Sequence, residues 1–209
     1  LKAHLPIVST SLQQIEFGKN IVIEGRPGPF SMLWQIFIAL ANSEGEYVFF
    51  CEHDVLYPES HFDFTPPKDD IFYYNDHVWR WDYPSDRAIT YDRLFSLSSL
   101  CVNRRFALNH YTDRIYRVIE NHWYEDASRD PQWARIIGFE PGTKKKKRGG
   151  FSDDDYETWQ SKEPIIDIRH NRTYSKAKVS LKDFKHPPTN WQETTIDKIE
   201  GWKLKEMFL

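Results

Sequence analysis

Two short runs near the start, Pro6-Ile7-Val8-Ser9-Thr10-Ser11 and Asn20-Ile21-Val22-Ile23-Glu24-Gly25, are rich in β-branched residues and predict strands. Pro27-Gly28-Pro29 then breaks the chain, and beyond it Ser31 stands where a helix needs a cap. Leu33, Ile36, Phe37 and Leu40 recur at spacings of three and four, which predicts that helix. Glu46 to Cys51 is apolar without alternation, as suits a strand with helices over both faces, and is the expected central strand. Ile71-Phe72-Tyr73-Tyr74 predicts a further strand, and Tyr91 to Cys101 more β or mixed structure. Arg104 to Trp123 predicts a helix on the spacing of Phe106, Leu108, Ile115, Val118 and Ile119. Gly138 to Asp155, rich in Gly, Lys and Asp, predicts a long mobile loop, and Ile165-Ile166-Asp167-Ile168 a late strand leading into Arg169-His170-Asn171.

Strands alternating with helices in the first half predict an α/β fold, with a mixed, mostly parallel sheet flanked by helices and irregular C-terminal additions. The 209 residues suit one domain, 1–209, and no internal repeat is visible. Leu1-Lys2-Ala3-His4 reads as the tail of a helix, so an N-terminal strand and helix are expected ahead of Leu1. With 40% hydrophobic and 16% aromatic residues the chain is globular rather than disordered. No stretch approaches the roughly 18 apolar residues that a membrane span needs. Cys51 and Cys101 make no disulfide framework, and no signal peptide opens the sequence, so a soluble, cytoplasmic protein making no membrane contact is expected.

A formal charge of −3 argues against a surface coated in basic residues for a nucleic-acid backbone. The charge is uneven, however: from Glu140 onward there are 15 Lys and Arg against 12 Asp and Glu, and 13 against 19 before it. A basic C-terminal face is therefore a candidate for holding a phosphorylated ligand.

The candidate chemistry begins at Glu52-His53-Asp54, three titratable residues at the end of the expected central strand, where ligands of open α/β sheets gather. A carboxylate there can hold a divalent cation against phosphate oxygens, which makes Asp54 the candidate ligand; the alternative is a solvated strand end with Asp54 capping a turn. Arg169 and Arg172 flank His170 and are suited to charge-assisted hydrogen bonds with phosphate. Glu140, in Phe139-Glu140-Pro141-Gly142, is the first candidate base for activating an acceptor, with Asp153 to Asp155 as alternates. Tyr73, Tyr74, Trp79, Trp81 and Tyr83 form a dense aromatic stretch, in which Trp79 and Trp81 are candidates for stacking on an acceptor and Asn75 for bonding its hydroxyls; core packing is the competing account. Lys144 to Arg148, beside Gly149-Gly150, could close over a diphosphate or touch a polyanion, or be a solvated loop tip.

Asn20-Ile21-Val22-Ile23, the segment Tyr47 to Pro58 with His61-Phe62 after it, and Pro164-Ile165-Ile166-Asp167-Ile168-Arg169-His170 together resemble a family of GT-A glycosyltransferase-like proteins of phage and bacterial genomes. The resemblance covers most of the chain and implies a GT-A-like sheet, with Glu52 and Asp54 standing at the D-x-D position that binds metal and nucleoside diphosphate. It implies a second metal ligand from a late histidine, for which His170 fits, and the imidazole favours Mn²⁺ without excluding Mg²⁺. A nucleotide-sugar donor, with a UDP-sugar expected, follows from the same resemblance. So does a hydroxyl acceptor, for which some relatives suggest a hydroxymethylated DNA base. The family's D-I-R-H is usually followed by glycine and an N-L-T-like run, whereas Asn171-Arg172-Thr173-Tyr174 stands here. Two rivals remain: a nucleic-acid-binding accessory protein without transferase activity, and a metal-dependent nucleotide-sugar hydrolase or pyrophosphorylase.

Overall fold

The computed structural model describes residues 5–126, 128, 131–142, 155–171, 173 and 178–208. Strands β1 (Val8–Ser11) and β2 (Lys19–Val22) form a parallel pair closed by the bond from Lys19 N–H to Ile7 O. Gly18, with φ +63°, makes that closure possible, because a Cβ there would lie 2.4 Å from Ile7 O. Helix α1 (Pro29–Asn42) starts two residues before the expected cap: Pro29 takes its first position, where its fixed φ and missing N–H cost nothing, and Ser31 instead bonds back to Arg26 O.

Strands β3 (Tyr47–Phe49), β4 (Val55–Leu56), β5 (Phe72–Asn75), β6 (Val78–Asp82), β7 (Arg87–Thr90) and β8 (Leu100–Asn103) follow, then helix α2 (Arg104–Glu120). The Asn103 side chain caps α2 by accepting from Arg105 N–H and Phe106 N–H at 3.0 and 3.2 Å. Helix α3 (Gln132–Ile137), strands β9 (Tyr156–Trp159), β10 (Ile165–Arg169) and β11 (Gln192–Thr195), and helix α4 (Leu204–Phe208) complete the described chain.

The larger sheets are ordered β3-β8-β5-β9 and β11-β7-β6-β10-β4. Mixed α/β character holds, but the expectation of a mostly parallel sheet does not. Among the described residues only β1-β2, β10-β6 and β5-β9 pair in parallel, while β10-β4, β11-β7, β3-β8, β5-β8 and β6-β7 are antiparallel. The run ending at Cys51 is not central either, since β3 forms one edge of its sheet. Its lack of alternation has another cause. Val48 and Phe50 pack on the main core with α1 and α2, while Phe49 meets His61 and Phe62, each with ring centroids 5.3 Å away, on the 3-10 turn Glu59–Asp63. Both faces are covered, one of them by a turn rather than a helix.

That main core joins Leu33 and Leu40 of α1, Phe72 and Tyr74 of β5, Leu100 and Val102 of β8, and the stripe Ala107, Tyr111, Ile115 and Val118 of α2. Burying each large apolar side chain contributes about 1.5–3 kcal/mol. A second cluster under the five-stranded sheet collects Trp81, Ala88, Ile166, Ile196, Ile199 and Leu204.

The two sheets share their strands' continuation. β5 runs into β6 across Asp76-His77, β9 runs into β10 across 160–164, and the two ribbons lie parallel on both sides of the break. Asn75, fully buried, fastens them: its amide donates to Ser161 Oγ at 2.7 Å and to His61 Nδ1 at 3.0 Å, while its carbonyl oxygen accepts from His77 N–H at 3.0 Å. Ile165 N–H to His77 O and Asp76 N–H to Trp159 O extend the seam. Backbone groups that a kink would leave open are thereby satisfied.

Candidate functional site

β4 is only two residues long, but its antiparallel pairing to β10 decides where the acidic segment goes. Asp54, just ahead of β4, accepts Ile168 N–H on its carbonyl at 2.9 Å, which brings the far end of β10 alongside. As a result Asp54 Oδ2 lies 3.7 Å from His170 Nε2, although 116 positions separate the two in sequence. Their side chains keep 17% and 27% of their surface, enough for access from solvent. Tyr57 Oη accepts from Glu52 N–H at 2.9 Å and fixes the loop between β3 and β4.

Glu52 keeps exposed surface, yet the protein atoms crowded around its carboxyl, the largest cause, push it up to about 7. The negative charges of Asp54, Asp167 and Glu140 push the same way, and Arg169 opposes them. Of the residues singled out by sequence, Asp54, Glu140 and Arg169 thus all act electrostatically on Glu52, with His170 against Asp54. Glu140 reaches this centre because buried tyrosines clamp its neighbours: Tyr74 Oη donates to Pro141 O at 2.7 Å and Tyr111 Oη to Phe139 O at 3.1 Å. A carboxyl near 7 can give or take a proton at neutral pH.

The sequence reading passed over Asp167, Arg80 and Tyr91. Asp167 is 3% exposed and accepts from Arg80 Nε at 3.0 Å and Arg169 Nη1 at 3.4 Å, and Arg80 Nη1 donates to Tyr91 Oη at 2.7 Å. The signal was available: a carboxylate inside Ile165-Ile166-Asp167-Ile168 cannot be buried without cationic or hydrogen-bonding partners.

The acceptor candidates separate. Asn75 is committed to the seam between the sheets, and both its amide and its carbonyl are used there. Trp81 is 1% exposed, donates Nε1–H to Ser85 O at 2.7 Å and packs edge-on against Tyr83 and Phe208, so it belongs to the core. Trp79 is half-buried and lines a cleft. Arg172, Lys144 to Arg148, Asp153 and Asp154 lie outside the described residues, and Asp155 is an exposed residue just before β9.

Asp54 and His170, 3.7 Å apart, bring together a carboxylate and an imidazole that would contribute two ligands to a divalent cation. Among the described residues no three His, Cys, Asp or Glu side chains group closely enough to hold a metal by themselves. Water and phosphate oxygens would complete such a site, as they commonly do for Mg²⁺. Among the described residues no helix is long and apolar enough to cross a membrane. Compared with protein-family models, with curated proteins and with solved structures, the chain matches none.

Proposed function

We infer that this chain is a metal-assisted glycosyltransferase that moves a sugar from a nucleoside-diphosphate sugar, with UDP as the first base to test, to a hydroxyl acceptor. The observation that carries the reading is the 3.7 Å approach of Asp54 and His170 within a centre where Glu52, Asp167 and Glu140 outnumber Arg80 and Arg169. Such a centre attracts a cation and repels a bare diphosphate, so donor binding requires the ion. Asp54 and His170 would hold Mn²⁺ or Mg²⁺, which would supply electrophilic stabilisation of the departing diphosphate. Arg169 adds a fixed positive charge beside it. Glu52 orients the ribose or a water, and Glu140 accepts the proton of the attacking hydroxyl.

The test is incubation with a panel of nucleotide sugars and Mn²⁺ or Mg²⁺, following release of nucleoside diphosphate. Release that disappears in Asp54→Ala and in His170→Ala supports the reading. Silence with every donor, or full release by Asp54→Ala, removes it. Thermal stabilisation by UDP should likewise need the cation.

A further inference from the structure

The seam between the two sheets opens into a cleft of about 1030 Å³ that none of the groups above uses as a reaction centre. We propose that this cleft binds a neutral carbohydrate chain of two to four sugar units, which under the transferase reading is the acceptor. The proposal rests on that reading for the role of acceptor only; binding is measurable without donor or metal.

Volume comes first: the cleft exceeds what a single small metabolite fills and lies at the upper end of ordinary ligand sites. Its lining then selects the ligand. Trp79, Tyr91, Phe95 and Tyr156 offer aromatic surface suited to the C–H faces of pyranose rings. Between them stand Thr158, Gln160, Asn190 and Gln192, short or amide side chains that can each donate and accept. Asp76 lines the same wall and adds a carboxylate, a group that accepts from hydroxyls.

Charge excludes the other polymer that aromatic clefts bind. The lining carries Asp76, Asp92 and Glu157 against Arg93. Lys68 answers Glu157 at 2.7 Å and Arg93, bonded to Tyr156 Oη at 3.1 Å, keeps its charge, so the acids still outnumber the cations by one. A polynucleotide track needs several Lys or Arg along its phosphates, and the described lining has only Arg93.

The rim is also built rather than accidental. Arg93 and Asn190 both hold positive φ, 62° and 53°, a conformation uncommon for residues with a Cβ. Asp92 locks them by accepting from Thr189 Oγ1 at 2.8 Å and Asn190 Nδ2 at 2.7 Å, and Tyr91 stacks on Trp191 at 5.7 Å and 8°. The cleft and the acidic centre then share one residue: the Tyr91 ring lines the cleft while its hydroxyl takes the bond from Arg80.

The test is titration calorimetry, with ligand-observed NMR, on the full chain without donor or metal. The ligands are neutral gluco-, manno- and galacto-oligosaccharides of two to four units, with single- and double-stranded DNA 12-mers at low salt. Saturable binding of at least one oligosaccharide, weakened about tenfold or more in Trp79→Ala and in Gln160→Ala and unchanged in Tyr116→Ala on the outer side of α2, is the expected result. Gln160 is exposed, so its variant decides the matter if Trp79→Ala fails to fold. No saturable binding up to about 10 mM, or DNA binding tighter than every oligosaccharide, overturns the proposal. Asp54→Ala should bind the oligosaccharide normally. Sugar binding without donor turnover therefore retires the transferase reading alone, and turnover without sugar binding retires the cleft alone.

Discussion

The sheet β3-β8-β5-β9 meets α1 and α2 mostly through aliphatic and aromatic side chains, whereas β11-β7-β6-β10-β4 buries Asp167 between the half-buried Arg80 and Arg169 in its middle strands. Apart from His110 and Arg114, which α2 buries as well, the first arrangement depends on shape and volume, and many apolar sequences would satisfy it. The second carries charges whose desolvation their mutual attraction barely offsets, so it adds little stability for its cost. What it provides is a fixed field beside Glu52, Asp54 and His170. The contrast teaches that the packing of one half rests mainly on apolar burial, while the other spends stability on a fixed arrangement of charges.

Several changes would break or sharpen that contrast. The largest effect is on chemistry: Asp54→Ala should lower donor turnover at least about 10³-fold, equivalent to about 4 kcal/mol of barrier, with the urea midpoint unmoved. A lowered midpoint with intact turnover would make Asp54 structural. Asp167→Ala should cost about 3–5 kcal/mol in urea unfolding, because it leaves Arg80 and Arg169 beside a hole where their carboxylate was, and turnover should fall with it. Leu100→Ala, fully buried in the other half, should cost about 2–5 kcal/mol yet leave the turnover of the folded fraction nearly normal. Equal losses of turnover from both would erase the distinction.

A pH effect of intermediate size comes from the seam. Burial holds the His61 ring down to about 4, against about 6.5 in an unfolded chain. Between these values the unfolded state binds the extra proton, so acidification from about pH 6.5 to 4 removes on the order of 3 kcal/mol of stability, and above pH 6.5 this group contributes no slope. His61→Gln should flatten that part of the stability curve measured by urea titration, and parallel curves for the two proteins would refute the assignment. The smallest effect is expected from Lys68→Ala, which breaks an ion pair of two exposed side chains and should leave the urea midpoint unchanged.

Much of the fold was legible where one segment carries its own pattern. The helix α2, the strand at Ile165 and the apolar run before Glu52 each lie within a residue or a few of their expected place, although the buried face of α2 runs through Ala107, Tyr111, Ile115 and Val118 and leaves the expected Ile119 exposed. Strand direction was not legible, because pairing depends on partners far along the chain that no local period encodes. The hairpin of β6 and β7 was hidden for another reason: Trp79 and Trp81 drew attention as a stacking surface, while Tyr83-Pro84-Ser85-Asp86 between the strands is an ordinary turn composition. Within the site, acids and the histidine at strand ends could be picked out because polar residues there need a reason. Asp167 was visible in the same way but required its two arginines to be placed, and Asn75 seemed available to a ligand only because its seam could not be foreseen.

β10 lies between β6 and β4, and its Asp167 meets Arg80 across 87 positions of sequence. During synthesis on the ribosome both flanking strands therefore emerge long before the one that joins them, and each waits with an open edge. A product terminating ahead of Pro164 keeps those edges bare permanently, which makes truncated chains of this protein candidates for aggregation rather than for partial activity.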